Sequence, residues 1–420
     1  MTRKTSEATR AEGSLSDRSA GRSRSGAGGR SSRGPTVLVA SCVLALAACT
    51  STDGGGSASS SGAPGTTDAP AEEYHFGEVV QVAPQTLMVV GRELAVEKGE
   101  ADIANSILFK DEDVVYWIDS GATAAFVGPL RQAFDQLKPY AKVVLVNTHG
   151  HVEHVGNNAL LNELGAASVE HYIPQAEIAK ARDYLQYFTG AFTPVAPYIE
   201  SFADPAAGAA KLMTLFEPVN VETGVMTTLE SRPFQEIIVG STRWTGWTFG
   251  DGAIQLLRAQ GHTEGEVIVY IPGIKLLHLA DEDNSYYPVF PGNDLVKTET
   301  LFAKTLAMVN DGVVELLTDG HSFTVRDPQQ AKAFLENRLA SAVAFDQAIH
   351  RILAEHPQGI TVPELVTEFG KAPEMAEASG SAQRSVLFDT LQVVAKLDEL
   401  GIVPVGSDPA TAIVALPTSA

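Results

Sequence analysis

The densest group of reactive side chains is Thr148-His149-Gly150-His151-Val152-Glu153-His154, with three histidines and a carboxylate inside six residues. Imidazole nitrogen and carboxylate oxygen are good ligands for a borderline divalent ion such as zinc. On a loop, alternate positions can turn two side chains toward one ion, and the next two residues can turn toward a second. The cluster comes directly after the apolar run Lys142 to Val146 and the pair Asn147-Thr148. That places it at the C-terminal end of a predicted strand rather than on a polar surface stretch.

The flanking sequence supplies alternating strand and helix signals. Ser106 to Phe109 and Val114 to Ile118 are β-branched and aromatic runs, with Asp111-Glu112-Asp113 as the polar turn between them. Phe126, Leu130, Phe134 and Leu137 recur at helical spacing, which predicts a helix packed on a sheet. Strands are also predicted near Glu236 to Val239, over Ala253 to Arg258 after the turn signal Asp251-Gly252, and over Glu266 to Ile271 and Lys275 to Leu279. Between Pro174 and Pro218 the chain is Ala-rich, helical in pattern and scattered with aromatics. From Asp327 the pattern is helical again. After Pro357 a small unit follows: a capping box with Pro in the first turn at Thr361-Val362-Pro363-Glu364, a helical stripe from Val386 to Leu400, and a short strand over Ile402 to Val405. That order predicts a small helical, winged-helix-like C-terminal unit.

The histidine cluster resembles the His-x-His-x-Asp-His motif of the metallo-β-lactamase fold superfamily, and four further segments agree in order. Ile118-Asp119-Ser120-Gly121 resembles the strand ending in Asp-Thr-Gly. Gly261-His262-Thr263-Glu264-Gly265 resembles Gly-His-Thr-x-Gly. Leu279-Ala280-Asp281 resembles the strand ending in a metal-bridging aspartate, and Asp319-Gly320-His321 resembles the final Gly-His. The resemblance covers roughly residues 80 to 340. It implies an α/β fold, the αββα sandwich. It also implies that His149, His151 and His262 hold a first metal, that Glu153, His154 and His321 hold a second, and that Asp281 bridges them. Two departures stand out. Glu153 replaces the usual Asp, one methylene longer, so one ion and two ions both remain open. Asn157-Asn158 replaces the glycines that usually follow the motif, so the helix start there is expected to differ.

The resemblance implies a metal-dependent hydrolase, with zinc expected and iron or manganese as alternatives. A metal-activated hydroxide would attack an acyl or phosphoryl centre, with Glu153 and Asp281 as the catalytic carboxylates that orient the nucleophile and move its proton. The small-molecule substrate is an ester, lactone, thioester or β-lactam, and loops within 174–250 are expected to shape its pocket. A Gly-x-Ser-x-Gly elbow is absent. Tyr286 and Tyr287 are read as loop packing, His278 as a core histidine, and Trp244 and Trp247 as core, with pocket lining as the alternative. Thr263-Glu264 and the acidic run after Ala280 faintly resemble the alkylsulfatase branch, whose ligands there are glutamates, whereas His262 favours the ordinary pattern. Further alternatives are a nuclease or phosphodiesterase of the same fold and a non-catalytic metal-binding protein.

Length and composition bound these readings. The chain has 420 residues, 44% of them hydrophobic, enough for a large core, and two cysteines exclude a disulfide scaffold. The net charge of -21 argues against nucleic acid as partner. So does the tail from Ala354 to Asp408, with nine acids against three bases. Residues 1–48 form a different segment. They carry eight basic and three acidic side chains and end in the apolar run Thr36 to Ala48, which reads as a secretory signal or leader. Leu46-Ala47-Ala48-Cys49 resembles a bacterial lipobox, which implies lipidation at Cys49. Residues 49–72, mostly Ser, Thr, Gly, Ala, Asp and Pro, read as a flexible tether. The expected organisation is therefore leader (1–48), lipidated tether (49–72), metallo-β-lactamase-like domain (73–330) and helical C-terminal region (331–420). The protein is expected outside the cytoplasmic membrane, held there by its lipid.

Overall fold

The computed structural model describes residues 74–91, 104–213, 221–282, 295–322, 324–373 and 386–416. Cys49, the leader and tether, and Tyr286 and Tyr287 lie outside them. Two sheets form the centre. The first runs in the order β1 (Val79–Ala83), β2 (Thr86–Val89), β3 (Ser106–Asp111), β4 (Val114–Ile118), β5 (Lys142–Val146), β6 (Ser168–Ile173) and β7 (Met226–Thr228). Neighbours are antiparallel up to β4 and parallel from β4 onward. The second contains β8 (Gln235–Val239), β9 (Thr242–Phe249), β10 (Ile254–Arg258), β11 (Val267–Ile271), β12 (Leu276–His278) and β13 (Leu316–Thr318). It is antiparallel except for the β12–β13 pair.

Side-chain alternation along the strands builds the layers. In β4, Tyr116 and Ile118 face the other sheet and join Phe249, Leu256 and Val269 in the inter-sheet core. Val115 and Trp117 face the opposite way, onto Phe126, Leu130 and Phe134 of α1 (Ala124–Gln136). Trp117 meets Phe134 edge-on, with ring centroids 5.2 Å apart. Strands covered on both faces need apolar residues at every position, which is why β4 and β5 read as unbroken apolar runs. On the outer face of the second sheet, Leu257, Ile268 and Leu277 pack in one core with α6 (Leu295–Asn310) and α7 (Pro328–Glu355). The result is helix, sheet, sheet, helix: the expected αββα sandwich. Trp244 and Trp247 are buried core residues, one in each core.

Between β5 and β7 in the chain come α2 (Val152–Val155), α3 (Ile178–Arg182), α4 (Tyr184–Phe192) and α5 (Pro205–Met213). After the histidine motif the helix is one turn long. It stops at Gly156 and gives way to a 3-10 turn over Asn158–Glu163. The C-terminal helical unit is present. Strand β14 (Ile360–Thr361) leads into α8 (Val362–Gly370), whose capping box pairs Thr361 with Glu364. Then come α9 (Val386–Glu399) and β15 (Ile413–Val414), which pairs with β14. The strand expected over Ile402 to Val405 reduces to one bridge between Val405 and Ile413, because it is β15 that pairs with β14. β1, β2, β6, β7, β9, β13, β14 and β15 are strands that the sequence pattern does not single out. Among the described residues no helix is long and apolar enough to cross a membrane.

Candidate metal centre

All seven side chains singled out as metal ligands lie where strand ends of the two sheets meet. β5 is followed by residues 147–154, β12 by 279–282 and β13 by 319–322, while residues 259–266 join β10 to β11. Parallel strands deliver their C-terminal ends to one edge, which is where open α/β sheets place their sites. Donor atoms of His149, His151, His262 and Asp281 fall within 4.8 Å of one another, as do those of Glu153, His154, Asp281 and His321. Asp281 belongs to both groups.

The spacings test whether a cation fits. Four donors at 2.0–2.1 Å from one tetrahedral ion stand about 3.3 Å from each other. In the first group His151 Nδ1 is 3.1 Å from His262 Nε2, and Asp281 Oδ2 is 3.7 Å from both His149 Nε2 and His262 Nε2. In the second, Asp281 Oδ1 is 3.0 Å from His154 Nε2 and 3.0 Å from His321 Nε2. Nε2 of His149 is buried and makes no hydrogen bond among the described residues. His154 Nε2 instead faces the Asp281 carboxylate at 3.0 Å. A buried imidazole nitrogen left without a hydrogen bond is costly, and a shared cation removes the cost. The donor set therefore fits divalent metal at both groups.

Charge agrees with geometry. Burial holds His149 and His151 well below the ordinary imidazole range, and neighbouring histidines add to the shift. Burial also lowers His262, to about 4. These rings are neutral, as ligands must be. His154 differs: burial opposes its charge, but Asp281 and Asp119 overcome that and push it up to about 10. A proton and a cation compete for the same Nε2 lone pair there. Burial raises Glu153 to about 7, against the pull of His154. Asp281 is held well below the carboxylate range by His154 and His321 despite its burial.

A second layer of side chains orients these donors; Asp119 and Asp319 stand in motif segments and Asn157-Asn158 at a departure from the motif, but the sequence assigns none of them this role. Asp119 accepts from Thr148 N and Thr148 Oγ1, both at 2.8 Å, and pairs with His154 Nδ1 at 2.8 Å. Its backbone has φ 58°, a left-handed conformation unusual for a non-glycine residue and typical of functional sites. Asn147 Nδ2 donates to the His154 carbonyl, and Asn158 and His171 both bind Asn147 Oδ1. The two asparagines that replace family glycines thus have a structural role: Asn158 joins this network, and Asn157 donates to the carbonyls of Ser120 and Thr123. Asp319 accepts from His321 N and Arg326 Nη1, and although burial opposes its charge, Arg326 and Ser322 lower it to about 2. A Cβ at Gly320 would collide with the Asp281 carboxylate, so glycine is required before His321.

The glutamates that resemble the alkylsulfatase branch stand elsewhere. Glu264 is exposed, and Glu282 accepts from the backbone N–H groups of Gly261 and His262. His278 is buried, hydrogen-bonded to Thr318 Oγ1 and outside both groups.

A sandwich carrying paired His/Asp groups at its strand ends defines a metal-binding hydrolase architecture. The chain belongs to the metallo-beta-lactamase superfamily, whose family model matches residues 99–335. Its members are hydrolases, and this chain is an enzyme of that kind. Solved structures share the fold at low identity. A metallo-beta-lactamase family protein from Thermus thermophilus aligns at TM-score 0.50 and 17% identity, covering 80% of this chain and 100% of that one. A beta-lactamase domain protein from Burkholderia ambifaria aligns at TM-score 0.52 and 16% identity, covering 81% and 94%. A stereoselective inverting sec-alkylsulfatase from a Pseudomonas species aligns at TM-score 0.49 and 15% identity, covering 77% of this chain and 50% of that one. No curated protein matches the sequence.

Proposed function

We propose that the chain is a zinc-dependent hydrolase of small esters, lactones, thioesters or β-lactams, exported and held outside the cytoplasmic membrane by a lipid on Cys49. One observation carries the hydrolase reading: Asp281 Oδ2 lies 3.7 Å from Nε2 of His149 and of His262, Oδ1 lies 3.0 Å from His154 Nε2, and His321 Nε2 is 3.0 Å from Oδ1 and 3.1 Å from Oδ2, so a single carboxylate stands between two adjacent donor groups. A divalent cation held there supplies a Lewis acid and lowers the pKa of its water to about 7. The protein's own part is positional. Asp281 fixes the separation of the two groups. Asp119 turns His154 so that Nε2 faces inward. Glu153 stands in the second group, where its carboxylate is placed to hold a cation or to accept and return a proton. The extra methylene of Glu153 does not remove it from the second group. The small-molecule substrate class is supported by the acidic chain, which offers nucleic-acid phosphates little grip. Export rests on the basic leader, the apolar run and Cys49.

Metal analysis of the purified protein, with a panel of generic esters, lactones and β-lactams, tests the reading. Near-stoichiometric zinc with turnover on the panel is expected, and His151→Ala should lose the first metal and at least about 1000-fold in kcat/KM, roughly 4 kcal/mol of transition-state stabilisation. Metal-free, inactive wild-type protein overturns the hydrolase reading. Cys49→Ala should move the protein from the membrane to the soluble fraction, and unchanged fractionation overturns the anchor.

A further inference from the structure

The segment of α3 and α4 supplies no metal ligand, and its Tyr184, Phe188 and Phe192 pack in the same core as Leu257, Ile268 and Leu277, yet other side chains of the segment reach the first group from outside. Glu177, fully buried at the start of α3, accepts from Gly150 N at 3.1 Å with Oε2. Its other oxygen accepts from Thr263 Oγ1 at 3.1 Å and Gly265 N at 2.7 Å, and Lys180 Nζ closes the set at 2.9 Å. One carboxylate therefore ties the loop between His149 and His151 to the loop that follows His262. The packing leaves no slack: a Cβ on Gly150 would come 2.5 Å from the Glu177 carbonyl oxygen, and one on Gly265 would come 2.6 Å from Glu177 Oε1. Further along, in α4, Tyr187 OH lies 3.1 Å from His151 Nε2, and Phe188 stacks against the same imidazole. The opposite nitrogen of that ring, Nδ1, is the one 3.1 Å from His262 Nε2.

We infer that Glu177 and Tyr187 are positioning residues for the first metal group: Glu177 sets the separation of the two ligand loops, and Tyr187 sets the rotation and tautomer of His151. The chemistry follows from the donors. A phenol oxygen accepting from Nε2–H leaves the Nδ1 lone pair for the cation. Glutamate offers only acceptors to four converging donors. Glutamine at 177 would turn an NH2 toward at least one of them and push the loops apart. The inference rests on the metal-site reading of the first group.

The test uses the full chain with His321→Ala, which leaves only the first group complete, and cobalt(II) as the probe. Cobalt uptake and its visible d–d bands report affinity and geometry without any assay of turnover. Glu177→Gln should weaken cobalt binding by about 10–100-fold and shift the bands, as removal of a partner behind a ligand does. Tyr187→Phe, which keeps the ring and its packing, should weaken it by about 10-fold and also shift the bands. Glu177→Asp, retaining the acceptors, should recover part of the loss. Wild-type affinity and spectrum in both folded variants overturn this inference alone. If Glu177→Gln does not fold, Tyr187→Phe decides: an unchanged spectrum overturns the inference and a shifted one supports it. A parent protein that takes up no cobalt overturns the metal reading of the first group, and this inference with it.

Discussion

On the first metal group, His151 and the His262 loop are braced by Tyr187 and Glu177, which belong to the segment of the short helices α3 and α4. On the second, His154 and His321 are braced by Asp119 and Asp319, which directly follow β4 and β13. The same chemistry, a side-chain acceptor behind a ligand, is thus delivered by a helical excursion in one case and by the sheets themselves in the other. The second group should stand or fall with the sandwich. The first can be changed by substitutions in a helical segment while the sheets stay intact. One half of the centre is built into the fold, and the other half is open to adjustment.

The largest expected effect tests the fold-bound half. Asp319→Ala leaves Arg326, 4% exposed and stacked 3.9 Å from the Phe334 ring, as a buried charge without its carboxylate. Losing one partner of a buried pair costs about 3–5 kcal/mol. The urea midpoint should fall accordingly, along with metal at the second group. A wild-type midpoint would break the comparison, because it would separate that brace from the fold. Next in size, Asp119→Asn keeps the shape but removes the charge opposite His154 Nδ1. Affinity at the second group should drop by about 10–100-fold, with a smaller loss at the first because Asp119 also holds Thr148, whose hydroxyl is 3.1 Å from His149 Nδ1, read from stepwise zinc titration. Equal losses at both groups would contradict the division into two independently braced halves.

The ligands and the central strands are legible in the sequence for one reason: they obey local rules. β3, β4 and β5 are buried on both faces and show as apolar runs, and the ligands follow directly after strands. Of the bracing residues, Asp119 and Asp319 also follow strands directly, but Glu177 and Asn105 obey no such rule. Glu177 lies in an Ala-rich stretch, and its partners are 86 and 88 positions away at Thr263 and Gly265. Asn105 holds the carbonyls of Asp319 and Ser322 across more than 200 positions. β9 escapes the pattern because Thr242 to Phe249 mixes Thr, Arg and Gly with its tryptophans. Only alternation across the β8 and β10 pairings makes it a strand. β6 escapes it because it carries Glu170 and His171, the latter buried in a polar network.

That network yields the smallest effect, a pH dependence of stability. His171 Nε2 bonds Asn147 Oδ1 and Nδ1 bonds Thr223 Oγ1, and burial lowers its pKa to about 3. The ordinary imidazole value is 6.5. Between these two values the unfolded chain binds a proton that the folded chain does not, so stability is full above pH 6.5 and declines as pH falls below it. At about pH 5.5 the loss assignable to this ring is about 1.4 kcal/mol relative to neutral pH. Urea unfolding of wild type and His171→Gln at about pH 7.5 and 5.5 isolates it, since the other histidines contribute equally to both proteins. The variant should lose less on acidification by about that amount.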